Sequence, residues 1–308
     1  MNQQFLTELK AVTAENRIFT DEPMKKHTTF RVGGPADILV QPKGTELAAV
    51  IRLCRKYDVP YQVIGNGSNL LVGDRGIRGL VIEMLSKEDE ICVEDDCITV
   101  GAGMLLSKTA NRAADHGLTG MEFAAGIPGS IGGAVVMNAG AYGGEMKDIL
   151  TAVTVLDQEG NEKIFSAEEL ELGYRTSCIL KKGYIVMRAK IKLKHGEETA
   201  IRVRMEELKK QRVEKQPLEY PSAGSTFKRP EGYFAGKLIQ DAGLKGYTVG
   251  GAQVSEKHSG FVVNRGGATA EEVAFLIKQV QKKVMKQFNV MMQPEVRFVG
   301  FADTEVRE

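Results

Sequence analysis

No C-x-x-C pair, no G-x-x-x-x-G-K-[ST] loop, no complete G-x-G-x-x-G turn and no excess of charge of either sign occur in this chain of 308 residues. Each absence excludes a class. Cys54, Cys92, Cys97 and Cys178 stand apart from one another and from His27, His116, His195 and His258, so no metal site is expected. Without a Walker-type loop, P-loop phosphoryl transfer is disfavoured. A net charge of +1 speaks against a nucleic-acid binder, which carries a basic excess or stripe. No signal-peptide pattern, internal repeat or low-complexity tract stands out. Reduced thiols and a cytoplasmic location are therefore expected. The uncharged run from Phe123 to Gly144 is long enough to cross a bilayer, but its glycines, Pro128, Ser130 and Asn138 make a poor spanning helix, and no membrane association is expected.

What the chain has is glycine in clusters. Residues 124–144 read AAGIPGSIGGAVVMNAGAYGG, with seven glycines and no charge. Glycine at this density marks backbone that turns sharply or approaches a ligand closely. A second loop, Gly65-Asn-Gly-Ser-Asn-Leu70, follows the strand-like stretch Tyr61 to Ile64. It starts like a dinucleotide fingerprint, but Leu70 replaces the third glycine and no long helix follows, so a Rossmann turn is disfavoured. Gly101-Ala-Gly103 is a weaker match still. Two such loops offer the backbone N–H donors and short hydroxyls that a large anionic ligand requires. For any single glycine, tight packing explains as much. Asn69, Ser130 and Asn138 equally suit a ligand or their own turns.

Apolar content of 43% supports real cores, and 26% charged residues give an ordinary soluble surface. A helix is expected over Glu46–Tyr57 with Thr45 as N-cap, and another over Leu105–His116. Residues 28–40 read as two short strands about Gly33-Gly34-Pro35. Ile91–Val93 and Ile98–Val100 read as a hairpin, and Ala152–Asp157, Lys163–Phe165 and Tyr184–Lys194 as further strands. A charged helix over 197–215 reads as a solvated connection. The last long helix runs from about Ala270 to Phe288, with a capping box of Thr269 and Glu272, and Pro294–Phe298 gives a closing strand signal. Strands and helices intermix without regular βαβ spacing, which predicts α+β domains.

The motifs TTFRVGGPAD (28–37), GNGSNLLV (65–72), AGIPGSIGGAVVMNAGAYG (125–143), LGYRTS (172–177), PSAGSTFK (221–228) and QPEVRF (293–298), in this order, resemble the UDP-N-acetylenolpyruvoylglucosamine reductase family over nearly the whole chain. The resemblance implies an α+β fold: a vanillyl-alcohol-oxidase-type two-lobed FAD-binding domain plus a C-terminal α/β substrate-binding domain. The lobes would occupy 1–85 and 86–200 and the substrate domain 201–308, with the last strand free to return to the FAD domain. It implies the shorter form of the family, which lacks an extra segment bearing a substrate-capping tyrosine. Neither glycine loop holds a histidine or cysteine, so non-covalent FAD is expected. NADPH would be the electron donor and a nucleotide sugar the substrate, with no obligate protein partner evident.

By motif position the resemblance assigns cofactor contacts to Gly65, Asn66, Gly67, Ser68, Asn69, Leu70, Gly126, Pro128, Ser130, Ile131, Gly132, Gly133, Asn138, Gly140 and Ala141. The family's reaction reduces a vinyl ether attached to a carboxylate, and charge that develops there needs preorganised donors or cations. Arg175 is the candidate cation, since a guanidinium keeps its charge and binds a carboxylate bidentately. Ser225 is the candidate proton donor, with Ser222 competing for the role. Glu295 is the third candidate, either with a raised pKa or linked to an arginine. Tyr174, Arg229, Lys237 and Gln240 are candidate substrate contacts, although Lys237 equally suits a solvated helix face. An FAD-dependent sugar or alcohol oxidase of the same fold and a non-enzymatic nucleotide-sugar binding module are the alternatives.

Overall fold

Apolar side chains from three separate stretches of sequence share one core, and that arrangement sets the architecture. The computed structural model describes residues 3–84 and 91–301. It forms two compact units: Met1–Thr20, Ile38–Asn66 and Gly79–Arg212 make the first, and Asp21–Asp37, Gly67–Arg78 and Val213–Glu308 the second. Consecutive blocks were expected from the sequence. The compact units are discontinuous because Phe30, Val32 and Leu71 are buried in one cluster with Phe227, Val262 and Val296. The expected lobe boundary at 85/86 lies outside the described residues.

The first unit holds two cores. One gathers Phe5, Leu9, Leu47, Val50, Ile51, Leu80 and Ile82. It lies under the helices Gln3–Val12 and Gly44–Lys56 and a sheet ordered Ile18–Pro23, Pro35–Val40, Ile77–Glu83, Tyr61–Ile64. The last two strands run parallel, Tyr61 opposite Leu80. The helix begins earlier than expected and its N-cap is Lys43, not Thr45. The Glu46 carboxylate turns back to accept the Lys43 N–H at 2.8 Å, which satisfies the N-cap donor without a threonine.

The other core gathers Ile98, Val100, Leu106, Ile131, Val135, Val153, Val155, Ala189 and Ile191. Its antiparallel sheet is ordered Glu162–Ser166, Leu150–Leu156, Ile185–Lys192, Cys97–Gly101, Ile91–Glu94. In Ile185–Lys192, Ala189 and Ile191 are buried while Arg188 and Lys190 are exposed, the alternation of a strand with one wet face. Helices Leu106–Asp115 and Ile131–Val136 close this core. The second of these lies inside the glycine-rich run, where no helix was expected.

In the second unit, the antiparallel strands Thr248–Val249, Ala252–Val254 and Val262–Asn264 pack under the helix Ala270–Phe288. The Thr269 hydroxyl accepts from Glu272 N at 3.1 Å and the Glu272 carboxylate from Thr269 N at 3.0 Å, a complete capping box. Val273, Leu276, Ile277, Val280 and Val284 form the buried stripe. The closing strand Arg297–Val299 pairs in parallel with Leu70–Val72. The strand expected before Gly33 does not form. Thr28 Oγ1 donates to Val32 O at 3.0 Å and Arg31 takes φ of 54°, which bends the chain out of a ladder. Among the described residues no helix is long and apolar enough to cross a membrane.

Candidate active site

The two glycine-rich loops meet in the first unit. A Cβ on Gly65 would stand 2.1 Å from Ser130 Oγ, so only glycine lets the chain pass that hydroxyl. Asn66 Nδ2 donates to Pro128 O at 2.5 Å. Ser130 is buried and caps the short helix, its Oγ accepting from Gly133 N at 3.4 Å. Ile131 N donates to Met104 O and Gly132 N to Ala102 O, both at 2.8 Å. The N–H groups of Ile131, Gly132 and Gly133 are thus spent within the protein, and the Ile131 side chain lies in the core.

Other amides are left over. Among the described residues, the N–H groups of Asn66, Gly126, Gly129 and Ser130 donate to no protein acceptor. The same holds for Gly67, Ser68 and Asn69 in the second unit. Unspent donors in tight turns are what an anionic group binds.

Asn138 is fully buried, and its side chain is committed to the protein. Nδ2 donates to Glu145 Oε2 at 2.7 Å and to Gly173 O at 3.1 Å, and Oδ1 accepts from Lys147 N at 2.9 Å. Gly173 and Thr176 bridge each other, so Tyr174 and Arg175 form the tip of a tight turn. Arg175 has φ of 55°, a conformation that costs an L-residue about 1–2 kcal/mol and persists where surroundings over-determine it. Its guanidinium lies 5.1 Å from the Tyr174 ring centroid and donates through Nη2 to Gly140 O at 3.5 Å. Tyr142, φ 54°, and Asn138, φ 42°, are strained in the same way within the glycine-rich run.

In the second unit, Ser225 is exposed and follows Gly224, whose φ is 75°. The next residue, Thr226, fixes the loop. Its N–H donates to Gly260 O at 2.9 Å, its Oγ1 accepts from Val262 N at 2.9 Å, and its carbonyl accepts from Glu295 N at 2.8 Å. Glu295 is gripped again by Asn69, whose Nδ2 donates to Glu295 O at 3.1 Å while Asn69 O accepts from Arg297 N at 2.9 Å. The structure therefore brings the backbones of Ser225 and Glu295 side by side through Thr226, a residue that sequence reasoning passed over. Nothing in its type or spacing marks it; only the fold shows what it joins. Ser222 is drawn into a bridge with Val263, and its carbonyl accepts from Thr29 Oγ1 at 2.6 Å.

Of the candidate substrate contacts, Tyr174 is exposed at the turn tip. Arg229 lies 4.0 Å from the Phe234 ring centroid and donates through Nε to Tyr233 O at 3.2 Å. Lys237 and Gln240 are exposed on the helix Ala235–Asp241, where Lys237 pairs with Asp241 at 2.8 Å.

The sequence pattern described as FAD binding domain matches residues 36–166, and that of the UDP-N-acetylenolpyruvoylglucosamine reductase C-terminal domain matches 216–299. UDP-N-acetylenolpyruvoylglucosamine reductase of Agathobacter rectalis is 55% identical, the alignment covering 97% of this chain and 99% of the relative. The chain belongs to the UDP-N-acetylenolpyruvoylglucosamine reductase family. The crystal structure of the reductase (MurB) from Thermus caldophilus is 40% identical, with a TM-score of 0.76 over 90% of this chain and 97% of that one. A structure of alkyldihydroxyacetonephosphate synthase, 16% identical, reaches a TM-score of 0.50 over 63% of this chain and 41% of that one, a likeness of fold alone. The reductase family fold is thus the one expected: α+β, with an FAD-binding domain and the reductase C-terminal domain. FAD is its cofactor, and the unspent amides of Asn66, Gly126, Gly129 and Ser130 in the first unit fit the diphosphate of such a group.

Proposed function

We propose that this chain reduces the enolpyruvyl vinyl ether of UDP-N-acetylglucosamine enolpyruvate to UDP-N-acetylmuramate with electrons from NADPH, in peptidoglycan precursor synthesis. Membership of the reductase family along 97% of the chain sets aside the oxidase and the non-enzymatic binding module. We place the reaction in the cytoplasm, with a nucleotide sugar as the small-molecule partner. When bound, FAD supplies two-electron transfer from NADPH to the vinyl carbon.

The protein's own residues supply the field and the proton. Arg175 holds the substrate carboxylate as negative charge spreads into it, and its strained turn keeps the guanidinium preorganised. Ser225 Oγ gives its proton to the α-carbon. A hydroxyl is a poor acid in water, yet an enolate-like carbon is basic enough to take its proton. Glu295 is the polar neighbour that tunes this transfer. The observation that carries the assignment is the placement of Thr226, which locks the Ser225 loop against Glu295 by a 2.8 Å backbone hydrogen bond and leaves Ser225 exposed. Asn66, Gly126, Gly129 and Ser130 hold the cofactor through backbone donors. Asn138 acts indirectly, by seating the turn that carries Arg175.

Rapid-mixing spectroscopy of Ser225→Ala tests the proton donor. Bleaching of the flavin by NADPH should keep its wild-type rate while return of colour on adding the enolpyruvyl nucleotide stalls. Return of colour at the wild-type rate would remove Ser225 from the role.

A further inference from the structure

The helix Glu198–Lys215 is largely exposed along its length, with Ile201 and Leu208 as its buried anchors. Arg202, Arg204 and Lys209 on it are all paired with carboxylates at 2.7–3.3 Å. Arg212 differs. It is half-buried, and among the described residues no hydrogen bond or ion pair reaches its guanidinium. It lies along the glycine-rich run: a Cβ on Gly126 would stand 3.1 Å from Arg212 Cδ and 3.4 Å from Nη1. Glycine at 126 thus leaves room for the arginine. The Gly126 N–H close by is itself without a protein acceptor.

A guanidinium always carries its charge, so half-burial without a partner costs free energy that nothing on the protein returns. Burial pulls its pKa below the ordinary value, and the Tyr142 phenol is the other group that acts on it. An unmatched cation beside unspent amides in a loop of low side-chain bulk is a site for an anion.

We propose that Arg212 is a cofactor-binding cation that meets an anionic group of FAD. The proposal rests on the family's use of FAD. Two parts of the cofactor present such a group, the diphosphate and the reduced ring, and they are told apart by what they depend on. The diphosphate is charged in both redox states, so loss of its partner weakens binding of oxidised and reduced cofactor alike. The ring gains its charge only on reduction, so loss of its partner lowers the midpoint potential.

The test compares wild type with Arg212→Met, which keeps the aliphatic stem, and Arg212→Lys, which keeps the charge. Flavin is stripped, FAD is titrated back by fluorescence quenching, and the midpoint potential of the reloaded protein is measured against reference dyes. Arg212→Met should bind FAD at least tenfold more weakly, or shift the potential downward by about 30 mV for each tenfold change in relative affinity. Arg212→Lys should recover most of the lost quantity. Affinity within twofold of wild type together with an unmoved potential in Arg212→Met overturns the proposal. So does a lysine variant no better than the methionine one, which would mean that the residue serves packing against Gly126. If Arg212→Met does not fold, Arg212→Gln reads the same two quantities. Failure of the wild type itself to take up FAD would instead count against the flavin assignment.

Discussion

Asn138 and Gly173 are joined by a 3.1 Å hydrogen bond from the asparagine Nδ2 to the glycine carbonyl. The bond makes the glycine-rich run the anchor of the turn that carries Arg175. Asn138→Ala leaves Gly173 O, Lys147 N and a Glu145 oxygen to find other partners, with a cost of about 1–3 kcal/mol for a buried group left unsatisfied. Urea unfolding should show that loss, and flavin reoxidation by substrate should slow although Asn138 touches no reacting atom.

Arg175 separates strain from chemistry. At φ 55° a glycine is at ease and an alanine is not. Arg175→Gly should therefore unfold about 1 kcal/mol later than Arg175→Ala. Both lose the guanidinium, and both should slow the substrate half-reaction about 100- to 1000-fold. Equal stability of the two variants would show that the turn relaxes once the arginine is gone.

Glu295 is held by its backbone at two points, so its side chain can be altered without releasing the loop. Glu295→Gln should fold as the wild type does and lose turnover in the second half-reaction; full activity would remove it from the mechanism. Asn69→Ala removes one of the two grips and should lower stability by about 1 kcal/mol. A normal NADPH half-reaction beside a slowed substrate half-reaction in that variant would show that the grip serves Glu295.

Asp157 carries an acid-limb signature. The Asn161 and Glu159 N–H groups each donate to Oδ1 at 2.9 Å and Lys163 Nζ stands 3.1 Å from Oδ2, which pulls the carboxyl down to about 2. Its folded pKa lies below its unfolded one near 3.9. The stabilisation is thus complete above about pH 4 and fades as pH falls through 2. Thermal unfolding from pH 6 to pH 2 should show a flatter acid limb for Asp157→Asn than for wild type.

The thiols should divide by burial. Cys92 is exposed, while burial pushes the Cys54 thiol up to about 12. A chromogenic disulfide reagent should modify Cys92 in the native protein and reach Cys54 only on unfolding.

The long amphipathic elements were legible because their signals are local. The stripe and capping box of Ala270–Phe288 and the period-two pattern of Ile185–Lys192 gave their ends to within two residues. The short helix Ile131–Val136 was hidden because glycine disfavours helix interiors, and packing against the Ile185–Lys192 and Cys97–Gly101 strands compensates. Ser130, Asn138 and Asn69 could each have bound a ligand or the protein. The structure commits the whole Asn138 amide to the protein, while Ser130 Oγ accepts from Gly133 N and Asn69 Nδ2 donates to Glu295 O, 226 positions away. Thr226 and Arg212 carried no local mark at all. The charge pattern of the helix Glu198–Lys215 reads as solvated, and the exception shows only once its surroundings are folded.

Phe30, Val32 and Leu71 leave the ribosome early, yet the cluster that buries them is completed by Val280, Val284 and Val296 near the other end of the chain. Those three apolar side chains must wait for the long intervening stretch of chain to be synthesised. The second unit is therefore expected to assemble slowly, because its decisive contacts are so remote in sequence. A fragment beginning at Val213 would lack part of its own interior and should be caught by chaperones or aggregate.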